Sequence, residues 1–320
     1  MLPKPPPRET PLGFLYIPPY RVQGLSIAGE VTCVQIPELD VCFDMGACPR
    51  AVLSSNYVAL SHGHMDHVGG LAYYCSQRRF QGMGTGTIVC DERVAPAVRR
   101  MMDGFHELEQ QQTPYEIITL AHEQQIEIKN NIFLKGFHTE HTAPSMGYAV
   151  MEHRTKLKPE FTDFPQEKLR ELKDRGVEIT RRLEIPLIAY LGDTAAGPHL
   201  VRDDVRKAKI IITECTFFDP DHKGRAKIGK HMHADDVAEW LRVAECEAMV
   251  LVHVSRRTHM IEAKAQLVQA LGGRAGERVH FLMDHRSNRE RYERQMIDAG
   301  MTPPGSEGPR PRPVRRGRPG

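Results

Sequence analysis

The chain of 320 residues has no apolar run of the roughly 18 residues that a membrane helix needs, which excludes a helical span. It also lacks any Cys-x-x-Cys pair. Its seven cysteines (33, 42, 48, 75, 90, 215, 246) are scattered and odd in number, which excludes a disulfide framework and a cysteine-based zinc site. The opening MLPKPPPRETP carries no apolar core of a secretory signal, so a reducing cytoplasm is the expected compartment. Net charge is equally scarce, at +2. Residues 301–320 hold five arginines and one glutamate, so the rest sums to about -2 and any nucleic-acid contact by the folded body must use local patches.

What is present in excess is histidine, 16 in all, on a chain that is 40% hydrophobic. Strand-like apolar runs recur near 21–36, 39–44, 57–61, 86–90, 124–137, 147–151, 187–192, 209–213, 248–254 and 278–283. Between them, 92–103, 165–175, 234–246 and 259–271 have helical spacing. Strands first, then strands alternating with helices, predict an α/β sandwich of two sheets. Residues 1–18 hold too many prolines for regular structure and read as an extended arm, 19–300 as one domain, and 301–320 as a disordered Arg/Pro-rich tail. No internal repeat is evident. The glycine-rich 82–86 precedes a strand and lacks a Lys-Ser/Thr ending, so it reads as a plain turn.

The chemistry concentrates in Ser61-His62-Gly63-His64-Met65-Asp66-His67-Val68-Gly69-Gly70, where four metal-ligand types fall within six residues at a strand's end. At this chain's own histidine frequency such a string arises by chance on the order of twice in a thousand chains. A strand end turning into a helix can aim His62 and His64 at one locus and Asp66 and His67 at a second, with Gly69-Gly70 permitting close backbone packing. Two loci need more ligands. His141, Asp193 and His253 each follow an apolar strand-like run, where an α/β scaffold gathers site residues, and Asp193 has two oxygens with which to bridge. His138 competes with His141.

These segments, with Phe43-Asp44-Met45-Gly46, Thr213-Glu214-Cys215-Thr216-Phe217, His231-Met232-His233 and Leu251-Val252-His253-Val254-Ser255-Arg256-Arg257, resemble the metallo-β-lactamase-fold hydrolases, and among them the tRNase Z family in its short plant-like form. The resemblance runs from about Tyr20 to Met283. It implies an αββα sandwich of two mixed β-sheets flanked by helices. It further implies a first zinc on His62, His64 and His141, a second on Asp66, His67 and His253, Asp193 bridging both, and Glu214 paired with His231. His141, and not His138, stands six residues before Gly147-Tyr148 as the family's ligand does. Lys230 is an extra residue before His231, which leaves His233 as a rival. The long arm of bacterial relatives is missing, and 154–184 resembles the plant-type insert, a candidate RNA contact.

The function so implied is a zinc-dependent endoribonuclease that removes the 3′ trailer of precursor tRNA. Hydroxide held by the metals attacks the phosphodiester and leaves a 3′-hydroxyl on the tRNA. Asp66 steers the nucleophile, Asp44 orients a ligand histidine from behind, His231 held by Glu214 serves as general acid, and Ser255 and Arg257 hold the scissile phosphate. A homodimer is the family's usual state. The alternative keeps the metals and changes the substrate to that of a small phosphodiesterase, thioesterase or lactonase.

Overall fold

Strands buried on both faces read as unbroken apolar runs, and Ile210-Ile211-Ile212 and Met249-Val250-Leu251-Val252 show why. Ile210, Ile212, Val250 and Val252 point into a core between two sheets, while Ile211, Met249 and Leu251 pack under helices on the outer face. The protein is described by a computed structural model covering residues 2–5, 12–272 and 278–303. In chain order its strands are β1 (Gly13–Ile17), β2 (Tyr20–Ile27), β3 (Val31–Ile36), β4 (Val41–Phe43), β5 (Tyr57–Ala59), β6 (Gly86–Asp91), β7 (Tyr115–Leu120), β8 (Gln125–Lys129), β9 (Ile132–His138), β10 (Met146–Leu157), β11 (Thr180–Tyr190), β12 (Ile210–Glu214), β13 (Ala248–Val252) and β14 (Val279–Phe281). The helices are α1 (Met65–Val68), α2 (Leu71–Phe80), α3 (Ala95–Glu109), α4 (Gln166–Asp174), α5 (Asp203–Arg206), α6 (Lys223–Gly229), α7 (Ala234–Trp240), α8 (Met260–Ala270) and α9 (His285–Asp298).

β1 to β7 form one seven-stranded sheet in chain order, and β8 to β14 form a second, also in chain order. In each, the first three pairings are antiparallel and the last three parallel. The fold is therefore a topological duplication that leaves no trace as a sequence repeat. α2 and α3 cover the first sheet, α5, α7 and α8 the second, giving the αββα sandwich.

The extended arm 1–18 requires correction: Gly13–Ile17 is a strand, paired with β2 through Phe14↔Gln23 and Leu15↔Val22. Its prolines lie outside the paired stretch, and Leu15 is buried in the inter-sheet core. The run 124–137 is a hairpin of β8 and β9, and α2, β7 and α9 lie outside the helices and strands read from periodicity. Residues 154–184 are the outer half of the β10–β11 hairpin, paired from Arg154↔Leu183 to Leu157↔Thr180, with α4 beyond it and no buried residue on that helix. Their charged side chains hid the strands, since a solvated hairpin needs no apolar face. Of the expected disordered tail, 304–320 lies outside the described residues.

Candidate metal centre

The ligand-type side chains gather where strands end. β5 stops at Ala59 and the chain runs extended through His64, whose backbone (φ -68°, ψ 150°) precedes α1. Asp193 follows β11, and His253 follows β13 in a left-handed conformation (φ 58°). Two glycines make the approach feasible. A Cβ at Gly70 would lie 2.8 Å from Ala47, and one at Gly192 (φ +61°) would lie 2.5 Å from the Ser61 Cβ.

Donor atoms of His62, His64 and His141 lie within 4.8 Å of one another, and so do those of Asp66, His67 and His253. Asp193 stands between the groups. Its Oδ2 is 3.9 Å from His62 Nε2, 3.4 Å from His67 Nε2 and 3.2 Å from His253 Nε2. Asp66 Oδ2 is 3.5 Å from His67 Nε2 and 3.4 Å from His253 Nε2, and it accepts the Gly29 N–H at 3.0 Å. His64 Nδ1 and His141 Nε2 are 3.3 Å apart.

Whether this set fits a cation can be tested on its unpaired atoms. His62 Nε2 and His67 Nε2 are both fully buried and have no hydrogen-bond partner among the described residues. An orphaned buried nitrogen is costly, and two of them facing a buried carboxylate are what coordination would satisfy. Burial pushes the His62 ring down to about 3 and, despite Asp193, the His141 ring to about 4, so both are neutral and ready to coordinate. Burial opposes charge on His67 too, but Asp193 and Asp44 outweigh it and raise that ring well above its usual value. Asp193 is held well below the carboxylate range against its own burial by His253 and His67.

Each ring is aimed by what it touches behind. His67 Nδ1 donates to Asp44 Oδ2 at 2.8 Å, His62 Nδ1 meets Ser61 Oγ at 3.0 Å, His253 Nδ1 meets Thr216 Oγ1 at 3.0 Å, and His141 Nδ1 donates to the Lys230 carbonyl at 3.2 Å. Such contacts fix the tautomer and leave the opposite nitrogen for a cation. Asp44 also accepts the Tyr190 hydroxyl at 2.5 Å. Ser61 and Thr216 had a signal in the sequence, being adjacent to or within recognised blocks. Tyr190, 146 residues from Asp44, had none.

Glu214 is fully buried, and its Oε1 accepts His231 Nδ1–H at 2.7 Å and Thr194 N–H at 2.8 Å, while Oε2 accepts the Thr216 hydroxyl at 2.6 Å. Burial disfavours charge on His231, yet the hydrogen bond and charge of Glu214 prevail and raise it above its usual value. His231 lies 5.0 Å, ring to ring, from His141 and 5.4 Å from His253. The rival His233 is instead the cap of α7: it accepts the Asp235 N–H and donates Nε2–H to the Asp219 carbonyl at 3.0 Å. His138 turns away as well, 3.3 Å from Asp91 Oδ2. Ser255 and Arg257 occupy the turn after His253, where Ser255 Oγ accepts the Arg257 N–H at 3.3 Å, and neither bonds to the clustered side chains.

Comparison with known proteins places this geometry. Residues 46–254 match the beta-lactamase superfamily domain. The chain is 32% identical over 243 residues to tRNase Z TRZ1 of Arabidopsis thaliana, covering 74% of this chain and 86% of that protein. It is 30% identical over 253 residues to the chloroplastic tRNase Z TRZ2 of the same plant, covering 78% and 72%. The crystal structure of the short form of human tRNase Z shares the fold, with a TM-score of 0.53 at 18% identity over 84% of this chain and 95% of that one. With its strand ends, paired loci and 30–32% identity to these plant proteins, the chain belongs to the tRNase Z family of the beta-lactamase superfamily.

Proposed function

We propose that this protein is a metal-dependent endoribonuclease that removes the 3′ trailer from precursor tRNA and leaves a 3′-hydroxyl on the tRNA. The observation that carries the reading is the Glu214–His231 pair, bonded at 2.7 Å and set against the ligand cluster. A thioester or activated ester expels a stable anion unaided, whereas a ribose 3′-oxygen is a poor leaving group and needs a proton donor. The two curated plant relatives at 30% and 32% identity are named tRNase Z.

In this reading His62, His64 and His141 would hold one zinc ion and Asp66, His67 and His253 a second, with Asp193 within reach of both groups. Nitrogen and carboxylate donors of this kind suit zinc. When bound, the cations supply Lewis acidity that makes water a nucleophile near neutral pH and draws charge from phosphoryl oxygens. Asp66 Oδ2, fixed by the Gly29 N–H, takes the proton of the attacking water. His231 Nε2 delivers a proton to the departing 3′-oxygen while Glu214 Oε1 holds Nδ1–H and stabilises the imidazolium. Ser255 and Arg257, on the turn beyond His253, hold the scissile phosphate.

RNA contact is assigned to the solvated β10–β11 extension and to the Arg-rich tail. A homodimer would cover Tyr73, Phe80 and Leu108, which are 56%, 86% and 80% exposed on helices α2 and α3. Among the described residues no helix is long and apolar enough to cross a membrane. Seven free thiols fit the reducing cytoplasm expected from the sequence.

The test is cleavage of a 3′-extended precursor tRNA by the zinc-loaded protein, beside bis(p-nitrophenyl) phosphate and a thioester. The tRNA is cut at the start of its trailer, and Asp66→Ala abolishes cutting while tRNA binding persists. Turnover of the small esters with intact tRNA would favour the small-molecule hydrolase instead.

A further inference from the structure

Helix α8 packs on α7, and α9 packs on β1. A cleft of about 500 Å³ is lined from α8, from α9 and from β14, the edge strand of the second sheet, and single-ligand clefts usually measure ~300–1,000 Å³. Leu267, Leu271, Val279 and Phe281 give it an apolar side, and Arg291 and Arg294 a cationic one. We propose that this cleft is a second binding site, for a small organic phosphoryl anion whose head is taken by the two guanidiniums and whose apolar or aromatic body lies against those four side chains. The inference is independent of the endonuclease reading.

The charge of the lining calls for an anion. Arg291 and Arg294 are three residues apart on α9 and so share one face of it. Arg291 Nε is fully buried with no hydrogen-bond partner, and no carboxylate pairs with either guanidinium among the described residues. An unanswered buried N–H beside a like charge is costly, and an anion would satisfy both. Burial, and then Arg294, disfavour charge on Arg291, while burial, and then Arg291, hold the His280 ring in the same lining down to about 4. Lys264 is already neutralised by Asp284 and donates to Ser287 Oγ at 2.8 Å. The two arginines are therefore the uncompensated charges of the cleft.

The kind of anion follows from the number of charges and from the apolar side. Two guanidiniums match a doubly charged phosphoryl head with three oxygens, whereas a carboxylate brings one charge and two oxygens. A bare phosphate would leave most of the cleft unfilled and its apolar lining uncovered. Val268, on the same lining, is 37% exposed, and Leu271 and Val279 are half-buried, so an organic body has apolar surface left to cover. A phosphate in an RNA backbone carries one charge and no such body.

Calorimetric titration of the zinc-loaded full chain with phenylphosphonate, inorganic phosphate and octanoate tests this. Phenylphosphonate binds about tenfold or more tighter than inorganic phosphate, the contribution of burying a phenyl ring, and tighter than octanoate. It also moves the titration of the His280 ring, followed by imidazole NMR and identified by its loss in His280→Gln, upward by about one pH unit or more, because a nearby anion favours the imidazolium. Arg291→Met keeps the length of the side chain and weakens phenylphosphonate about tenfold or more. Its melting temperature in the absence of ligand stays level or rises, since an unpaired buried charge has been removed. Val268→Phe, on an exposed position, narrows the cleft and weakens the same probe with melting unchanged. Binding that survives Arg291→Met within about twofold and leaves His280 unmoved belongs to the metal centre and overturns the proposal. So does a fall in melting for Arg291→Met, which would mean that the guanidinium has its partner within the protein. Octanoate binding tighter than phenylphosphonate overturns the phosphoryl assignment, and a log–log salt slope of tRNA binding reduced by about one in Arg291→Met would make the cleft an RNA contact instead.

Discussion

Replacing Asp44 by asparagine removes one charge and one acceptor site without changing size, and its effect can be worked out atom by atom. Asp44 is fully buried, with the Ser61 N–H on Oδ1 at 2.7 Å and the Tyr190 O–H and His67 Nδ1–H on Oδ2 at 2.5 and 2.8 Å. The Ser61 hydroxyl reaches both oxygens, at 3.0 and 2.7 Å. An amide NH2 in the Oδ1 position would face the backbone N–H of Ser61, which cannot reverse its role. In the Oδ2 position the Tyr190 hydroxyl can turn to accept, and so can His67 Nδ1, but only if its proton moves to Nε2. Nε2 is the atom that faces Asp66 and Asp193. Asp44→Asn should therefore convert His67 to the tautomer that cannot bind a cation. Loss of an outer partner of this kind lowers metal affinity about 10–100-fold, and the lost charge-assisted hydrogen bonds cost about 1.5–3 kcal/mol of stability. Chelator competition gives the first quantity, thermal melting the second, and imidazole nitrogen NMR of the metal-free protein reports the tautomer. Zinc affinity within about twofold of wild type, with Nδ1 of His67 still protonated in the variant, would refute the reasoning.

Three further outcomes follow from the geometry. His67 is raised above its usual value while His62 and His141 sit near 3 and 4, so near neutral pH it is His67 that must lose a proton when a cation binds at Nε2. Zinc uptake should release about one proton, and affinity should climb about tenfold per pH unit until the pH passes the raised His67 value. Calorimetry in buffers of differing ionisation enthalpy measures this, and heats independent of the buffer would contradict it. His231→Ala should lower kcat about 10²–10⁴-fold at nearly constant KM. His233→Ala should lose about 1 kcal/mol of stability with its cap and far less kcat, and the reverse ranking would exchange their roles. Gly192→Ala combines a positive φ with a 2.5 Å clash on Ser61, whereas Gly176 (φ +77°) has open space around it. Strain alone costs about 1–3 kcal/mol, so melting should fall further for Gly192→Ala than for Gly176→Ala, and equal losses would discount the clash.

Much of the site is legible in the linear chain because ligand chemistry is carried by residue type and local spacing. His62, His64, Asp66 and His67 lie on one turn, and His141, Asp193 and His253 follow apolar runs whose ends a sheet brings to one edge. The layered architecture is legible for the same reason, since strands buried on both faces are continuously apolar. Gly13–Ile17 escaped notice because proline-rich neighbours mask a short strand whose partner supplies its order. The outer β10–β11 hairpin was hidden by charges that a solvated ladder tolerates.

By itself, then, the sequence determined which residue types could build two metal loci and that two apolar sheets would carry them. Tertiary structure alone decided that His141 faces His64 while His138 faces Asp91, that His231 meets Glu214 while His233 caps a helix, and that Tyr190 and Lys230 stand behind the ligands. The reason is physical: a ring's role depends on which of its two nitrogens is already engaged, and the groups that engage them come from strands far apart in the chain, brought within hydrogen-bonding reach only by packing.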